Sequence, residues 1–430
     1  MTRQEDLFLQ RDKDDRPRSV LVIGAGVVGL SVALQLQRRQ FDAVVVDELP
    51  PGDGSSYGNS GFLVADTAMP TSLPGILKKV PGWLMDPAGP VSISLPYLPT
   101  AAPWLFRYLA AGKLDRVHQS SDALRELHRR TFSLWEEMVG AATMQELVRQ
   151  DGQVYVWDQP PSAVPKVNIE DSLRARLGIQ SQDLGREQLQ SLFPGIAPSV
   201  NRGLLIPGNG HTINPGRLVK VLAERLCEAG GMVVQERVLR IWPHGNGVWN
   251  LMTNLSNRSA RHVIVAAGAW SARLLAPLGI RIPLETERGY HAVLPNPSVK
   301  LPLPILHKSG YFGVNSMEMG LRLAGTVEFA GLDAPPNMAR AEMLVGQAKQ
   351  LFPSLQHDEP VYWMGHRPST PDSVPVIGQF SGHAGLYACF GHGHAGLTGA
   401  PASGLLTAQL IAGETPAFPT APYSPARFHV

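Results

Sequence analysis

The chain has 430 residues, enough to bury a large core, and a length at which two domains are expected. Its net charge of +2, with no block of like charges, gives no electrostatic basis for binding nucleic acid, so the expected partner is small. Cys227 and Cys389 are the only cysteines and form no CxxC pair, which excludes a disulfide framework and a thiolate metal site and suits a reducing compartment. Residues 1–17 alternate in charge and lack an apolar h-region, so they read as a disordered lead-in rather than a secretory signal. No run approaches the ~20 apolar residues of a membrane span, and the expected location is cytoplasmic.

The apolar run Val20 to Ile23 gives way to Gly24, Gly26 and Gly29, after which Val28, Val32, Leu34 and Leu36 recur at roughly helical spacing. A second apolar run, 43–46, ends at Asp47 and Glu48, where a dinucleotide fold places its ribose ligand. The unit is βαβ. Gly24 permits the turn, and Gly26 lets backbone N–H groups, with those of Val27 and Val28, approach a pyrophosphate. Gly29 lets the helix close on its strand. An acid at 47 favours an unphosphorylated ribose, hence FAD or NAD over NADP.

Next comes "GSSYGNSG", 54–61, whose Ser55, Ser56, Asn59 and Gly61 offer hydroxyls, an amide and free backbone beside the same phosphates; an ordinary loop has the same composition. The stretch Met69 to Lys113 is apolar, aromatic and broken by prolines. Few basic residues accompany it, which favours packing in a substrate domain over contact with a bilayer surface. Ser121 to Val139 carries Leu124, Leu127, Leu134 and Met138 at helical spacing, and Asp151 to Asp158 alternates as a strand. The 170–190 segment mixes helical patterns with a linker.

From Asn214 the α/β grammar returns: a helix over 215–229, a pair of strands over 232–242, and "HVIVAAGAWSARLL" as strand, glycine and helix. Val238 sits in a strand-like run, and Ala267, Gly268 and Trp270 follow a strand end where small residues permit close approach to a ligand. Between Arg281 and Phe329 alternating runs predict an antiparallel sheet, with Arg288 and Tyr290 of "ERGYH" on one face. The last strand is "GLYACF", with a helix predicted to begin near Pro401. The nucleotide-binding part is therefore discontinuous, and its C-terminal return suits FAD better than NAD.

Between that strand and helix, "GHGHAGLT" holds Gly391, His392, Gly393, His394, Gly396, Leu397 and Thr398. Their N–H groups and the helix's positive end suit a developing negative charge. An HxH pair without carboxylate or thiolate neighbours is a poor metal site, so no metal is expected. Arg367 in "GHRPSTPDS" presents a guanidinium fork suited to a planar carboxylate, although an ion pair with Asp372 would use it equally. Cys389, inside an apolar strand, reads as a buried free thiol rather than a covalent flavin link.

"VIGAGVVGLSVALQLQRRQFDAVVVDE", "GSSYGNSGFL", "VIVAAGAWS", "ERGYH", "GHRPSTPDSVPVIG" and the C-terminal glycine-histidine run together resemble the FAD-dependent amine oxidoreductases of the D-amino-acid oxidase, glycine oxidase and D-amino-acid dehydrogenase superfamily. The likeness spans nearly the whole chain and is strongest to the dehydrogenase branch, including D-proline and cis-4-hydroxy-D-proline enzymes. It implies an α/β (α+β) protein: a Rossmann-like FAD domain of glutathione-reductase type over 18–66, 201–281 and 355–430. A substrate domain on a mixed or antiparallel sheet would occupy 67–200 and 282–354. It also implies FAD as cofactor, an adenine contact at the Val238 backbone, and Arg367 on the substrate carboxylate, with Arg288, Tyr290 and His394 as further catalytic candidates. The expected reaction is oxidative deamination of a D-amino acid, with electrons passing to a quinone or another acceptor. An oxygen-using glycine or sarcosine oxidase, or a flavin-bearing subunit inert without partners, are the alternatives. A homo-oligomer and peripheral contact at the inner face of the membrane stay open.

Overall fold

The computed structural model describes residues 18–76, 80, 82, 86, 89–158, 168–245 and 247–429. The expected lead-in over 1–17 lies outside them.

Strand β1 (Ser19–Ile23) is buried along its whole length, so it needs neighbours in the sheet and a layer on each face. Helix α1 (Val27–Gln37) and strand β2 (Asp42–Asp47) follow, then α2 (Pro215–Glu228), β3 (Met232–Gln235) and β4 (His262–Val265). Strands β5 (Val376–Gln379) and β6 (Leu386–Phe390) and helix α3 (Gly396–Ala412) close the set. The sheet order is β3-β2-β1-β4-β6-β5, parallel except where β5 meets β6. Alternation along β1 assigns the layers: Val20 and Val22 join a core with residues of α1, α2 and α3. Leu21 and Ile23 face Ile241, Trp249 and Leu251 of a three-stranded antiparallel layer, Val238–Gly245, Val248–Thr253 and Asn257–Ala260. The two strands expected over 232–242 thus belong to different sheets.

Helix α3 starts at Gly396, five residues before the expected Pro401. Proline has no N–H for the carbonyl four residues earlier, which normally disfavours it inside a helix. Here the Trp135 indole donates to the Leu397 carbonyl at 3.0 Å and replaces the missing donor. Trp135 lies on the helix Thr131–Val139, which is separate from Leu114–His128: the single helix expected over 121–139 breaks at Arg129 and Arg130, and both pieces bury their apolar faces in the same core.

The second large sheet has nine strands and is mainly antiparallel. Its order runs Val361–Ser369, Glu285–Leu294, Gly320–Phe329, Phe312–Met317, Ile305–His307, Gln153–Trp157, Arg202–Ile206, Gln182–Leu184, with Val91–Ile93 beside the third of these. The segments Arg202–Ile206 and Val361–Ser369, expected on the nucleotide side, are strands of this sheet. The placement of Val361–Ser369 brings Arg367 beside Glu287, its partner in register. Among the described residues no helix is long and apolar enough to cross a membrane.

Candidate active site

A cavity of about 1170 Å³ runs between the two sheets, past the carboxyl ends of β1, β2 and β4, where open α/β sheets bind ligands. At its nucleotide end Gly24 takes φ +115, and a Cβ there would strike the Ala266 carbonyl. Gly26 is the N-cap of α1, and a Cβ on it would approach only Ser56 Oγ, at 3.5 Å. The first turn of α1 holds no acidic residue of its own, and its positive end faces the cavity. The Val27 N–H donates to Ser56 Oγ at 3.0 Å, and Ser55 Oγ donates to the His366 carbonyl at 2.7 Å. Asp47 accepts from the backbone N–H groups of Ala25, at 2.6 Å, and Leu49, at 2.9 Å. Burial pushes its carboxyl up, against those backbone bonds. Asp47, Glu48 and Val238 line the far end, Val238 in register with Thr253.

The middle of the cavity is formed by Ala267, Gly268 and Trp270 on one side and the start of α3 on the other. Gly268 has φ +53 and nothing within 4 Å of a Cβ position, so the backbone there borders open space. Gly391, His392, Gly393, His394, Gly396 and Leu397 all reach the cavity wall. His392 Nε2 meets Ser403 Oγ at 2.7 Å, and burial lowers its pKa to about 3, so the ring is neutral. A long trough with two helix N-termini, small residues at its walls and an acid at one end fits an extended dinucleotide such as FAD.

At the other end stand Arg367, Glu287, Gly289 and His394. Arg367 Nη1 donates to the Thr326 carbonyl at 3.0 Å, and its guanidinium makes no further hydrogen bond among the described residues. The alternative ion pair with Asp372 is not formed: Asp372 pairs with Arg427 at 3.2 Å. Burial lowers the Arg367 pKa, and Glu287 opposes that shift. A Cβ on Gly289 would collide with the Arg367 guanidinium, which therefore lies directly over that glycine. His394 Nε2 lies 2.7 Å from Glu287 Oε2. Burial pushes the Glu287 carboxyl up, but His394, Arg367 and the Ser369 hydroxyl together bring it below its ordinary range.

Other expected residues do different work. Arg288 is fully buried and bonds the carbonyls of Gly331, Ala334 and Pro335, outside the cavity wall. Tyr290 reaches the wall, but its hydroxyl donates to Glu328 at 2.5 Å. These two share a face, as alternation predicts; the face that carries Arg367's neighbours holds Glu287, Gly289 and His291 instead. Gly29 does not border the cavity, and a Cβ on it would strike the Gly24 carbonyl, so it serves helix closure. Gly61, at φ +77, donates to Asn59 Oδ1, and a Cβ on it would strike the Thr212 carbonyl. Thr398 is buried and accepts from the Val64 N–H at 3.0 Å. Asn59 itself lines the cavity.

Glu287, Gly289, Tyr108 and Trp363 also line the site and escaped the sequence reading. Tyr108 stacks on Trp104, 5.3 Å apart, and Trp104 Nε1 donates to the Ser369 carbonyl, so one face of Leu98–Ala111 seals the cavity. Phe106 of this helix and Leu95 just before it stay exposed. Only the ERGYH alternation carried a signal for Glu287 and Gly289: residues flanking Arg288 must face the opposite way. Among the described residues no cluster of three or more His, Cys, Asp or Glu is arranged to hold a metal.

Comparison with known proteins gives the family and the fold. The D-amino-acid oxidase of Bradyrhizobium diazoefficiens is 37% identical over 418 residues, covering 96% of this chain and 99% of that one. D-amino acid dehydrogenase 2 of Pseudomonas aeruginosa is 31% identical over 424 residues, covering 93% and 96%. Among solved structures, L-proline dehydrogenase from P. horikoshii superposes with a TM-score of 0.73 at 18% identity, covering 96% of this chain and 98% of that one. Glycine oxidase from Geobacillus kaustophilus gives 0.69 at 22%, covering 95% and 98%. These two establish the fold alone. A family model described as FAD dependent oxidoreductase matches residues 19–410, and the chain accordingly belongs to that FAD-dependent oxidoreductase family.

Proposed function

We propose that this protein oxidises a D-amino acid at its Cα–N bond, with a D-proline or cis-4-hydroxy-D-proline type of substrate. One observation carries the reading: a guanidinium fork, Arg367, held over Gly289 in the cavity with all but one of its bonds unspent. A carboxylate laid against that fork gains charge-assisted hydrogen bonds that no other group at this end offers. The D-specific names of two relatives at 31–37% identity support the handedness. Bound FAD would supply the hydride acceptor.

The chain's part is to bind and orient. Arg367 anchors the carboxylate, Gly289 leaves room for the anchor, and Tyr108 and Trp363 wall the pocket. Arg288, proposed above from sequence, is withdrawn from catalysis because its guanidinium is spent on backbone carbonyls. In the same proposal the cofactor trough is held by Gly26, Val27, Ser56 and Asp47 and by the start of α3. The acceptor is a respiratory quinone met from the cytoplasmic face of the membrane.

A second reading, electron transfer to oxygen, is favoured by the oxidase name of the 37% identical relative. Turnover of D-proline with a dye acceptor under argon, compared with peroxide formation under air, tests both. Dye reduction with little peroxide supports the dehydrogenase, stoichiometric peroxide supports the oxidase, and no turnover with any D-amino acid overturns the proposal.

A further inference from the structure

We propose that Glu287 is the group that grips the ammonium of the substrate and removes its proton, with His394 releasing a proton in exchange. The inference rests on the amino-acid reading above and deepens it.

An amino acid at neutral pH presents a carboxylate and an ammonium on one carbon. Loss of a hydride from Cα needs the nitrogen lone pair, so one proton must leave first. Arg367 meets only the carboxylate. Its register partner on the neighbouring strand is Glu287, and opposite residues of an antiparallel pair hold their Cβ atoms about 5 Å apart on the same face. That separation suits the two charged ends of an α-amino acid. A carboxylate at this place would repel both a substrate carboxylate and the phosphates of a dinucleotide, so it serves cationic groups: Arg367 and His394 within the chain, and the ammonium that the substrate would bring. It is also nearly inaccessible, 7% exposed, whereas His394 is 47% exposed. His394 itself lines the cavity, so the pair joins the buried carboxylate to the cavity space.

The other groups facing Glu287 do not compete. Arg367 has no lone pair to offer. The Tyr108 hydroxyl, on Leu98–Ala111, donates to the Thr71 carbonyl and is pushed above its ordinary pKa, first by burial and then by Glu287. Glu285, on the same strand, already accepts from the Tyr97 hydroxyl and the Thr286 N–H. In the proposed step an ammonium N–H bond breaks and its electron pair stays on nitrogen. The proton forms an O–H bond on Glu287 Oε1, while His394 keeps its Nε2–H on Oε2 and gives up its other ring proton, on Nδ1, to water, so the charge of the pair is unchanged. No electron moves in this step.

The test uses the FAD-loaded full chain and two ligands that cannot be oxidised at an amine-bearing Cα–H: α-methyl-D-proline, and (R)-tetrahydro-2-furoate, which lacks the amine. Their affinities are read from the perturbed flavin spectrum. Glu287→Gln should weaken α-methyl-D-proline about tenfold or more at pH 7 and leave the furoate as tight or tighter. Anaerobic flavin reduction by D-proline in that variant should rise about tenfold per pH unit toward the amine's own pKa, while the wild type stays flatter. His394→Asn should change the pH profile in the same direction with the furoate affinity kept, and it decides the matter if Glu287→Gln fails to fold. Equal loss of both ligands, or pH profiles parallel to the wild type, would overturn the role of Glu287. Absence of flavin reduction by any D-amino acid in the wild type would instead overturn the proposed function.

Discussion

Gly289 lacks a side chain because the Arg367 guanidinium occupies that space. Gly289→Ala should therefore leave the fold intact, since the obstacle is the end of a flexible side chain, while the displaced fork loses substrate. We expect at least a tenfold rise in the substrate's dissociation constant, about 1.4 kcal/mol, with unchanged FAD content; unchanged affinity would show that the fork is not the anchor. Arg367→Lys keeps the charge but not the fork and should cost about 1.5–3 kcal/mol of carboxylate binding, read in the same titration. Cys389 is fully buried, and burial pushes its thiol up to about 12, so it carries no nucleophilic thiolate at neutral pH. Acid precipitation should release all flavin into the supernatant; yellow colour retained in the pellet would contradict this. At this scale the sequence singled out Arg367, which the structure puts on the cavity wall, because a guanidinium fork suits a planar carboxylate. It missed Glu287 and Gly289, whose meaning depends on the register between two strands 80 residues apart in the chain.

Helix α3 carries a proline in its second turn and stays straight enough to begin at Gly396, because another helix supplies the donor that Pro401 lacks. Trp135→Phe removes that donor and leaves the Leu397 carbonyl buried and unpaired. We expect a loss of about 2–3 kcal/mol, from the orphaned carbonyl and the smaller ring, measured by denaturant unfolding. A loss below about 0.5 kcal/mol would mean that another donor reaches the carbonyl. The compensation explains why the helix start was misplaced: Pro401 is a local signal, Trp135 a distant one. The opening βαβ unit was legible for the opposite reason. Its glycines, helix pattern and terminal acid are all local, and they are spaced by the geometry of one turn. The 121–139 helix shows the intermediate case, where apolar spacing survives a break at Arg129 and Arg130 because both pieces face one core.

The whole molecule is held by cores on both faces of a parallel sheet and a separate core behind the large sheet, with the cavity between them. FAD filling that cavity binds the folded chain alone, so at a hundredfold excess over its dissociation constant it should add about 2.7 kcal/mol and raise the melting midpoint. His128, His291 and His392 are buried, which lowers their pKa values to about 4, 3 and 3. The unfolded chain takes up protons near pH 6.5 where the folded chain does not. Stability is therefore fully present above that value and falls as pH drops below it, by roughly 2 kcal/mol per histidine at pH 5. A melting midpoint unchanged between pH 7.5 and 5 would contradict the neutral assignment. The two-sheet architecture was legible from alternating strand and helix grammar, but the strands Arg202–Ile206 and Val361–Ser369 carry no local mark of the sheet they join.

Handedness of the substrate tests the central claim most directly. The purified yellow protein should be titrated without oxygen, against D-proline, cis-4-hydroxy-D-proline and D-alanine, with glycine, sarcosine and the L-enantiomers in parallel. Bleaching of the flavin band by D-substrates alone is the predicted result. Bleaching by the L-enantiomers, or by none of these compounds with FAD in place, would contradict it.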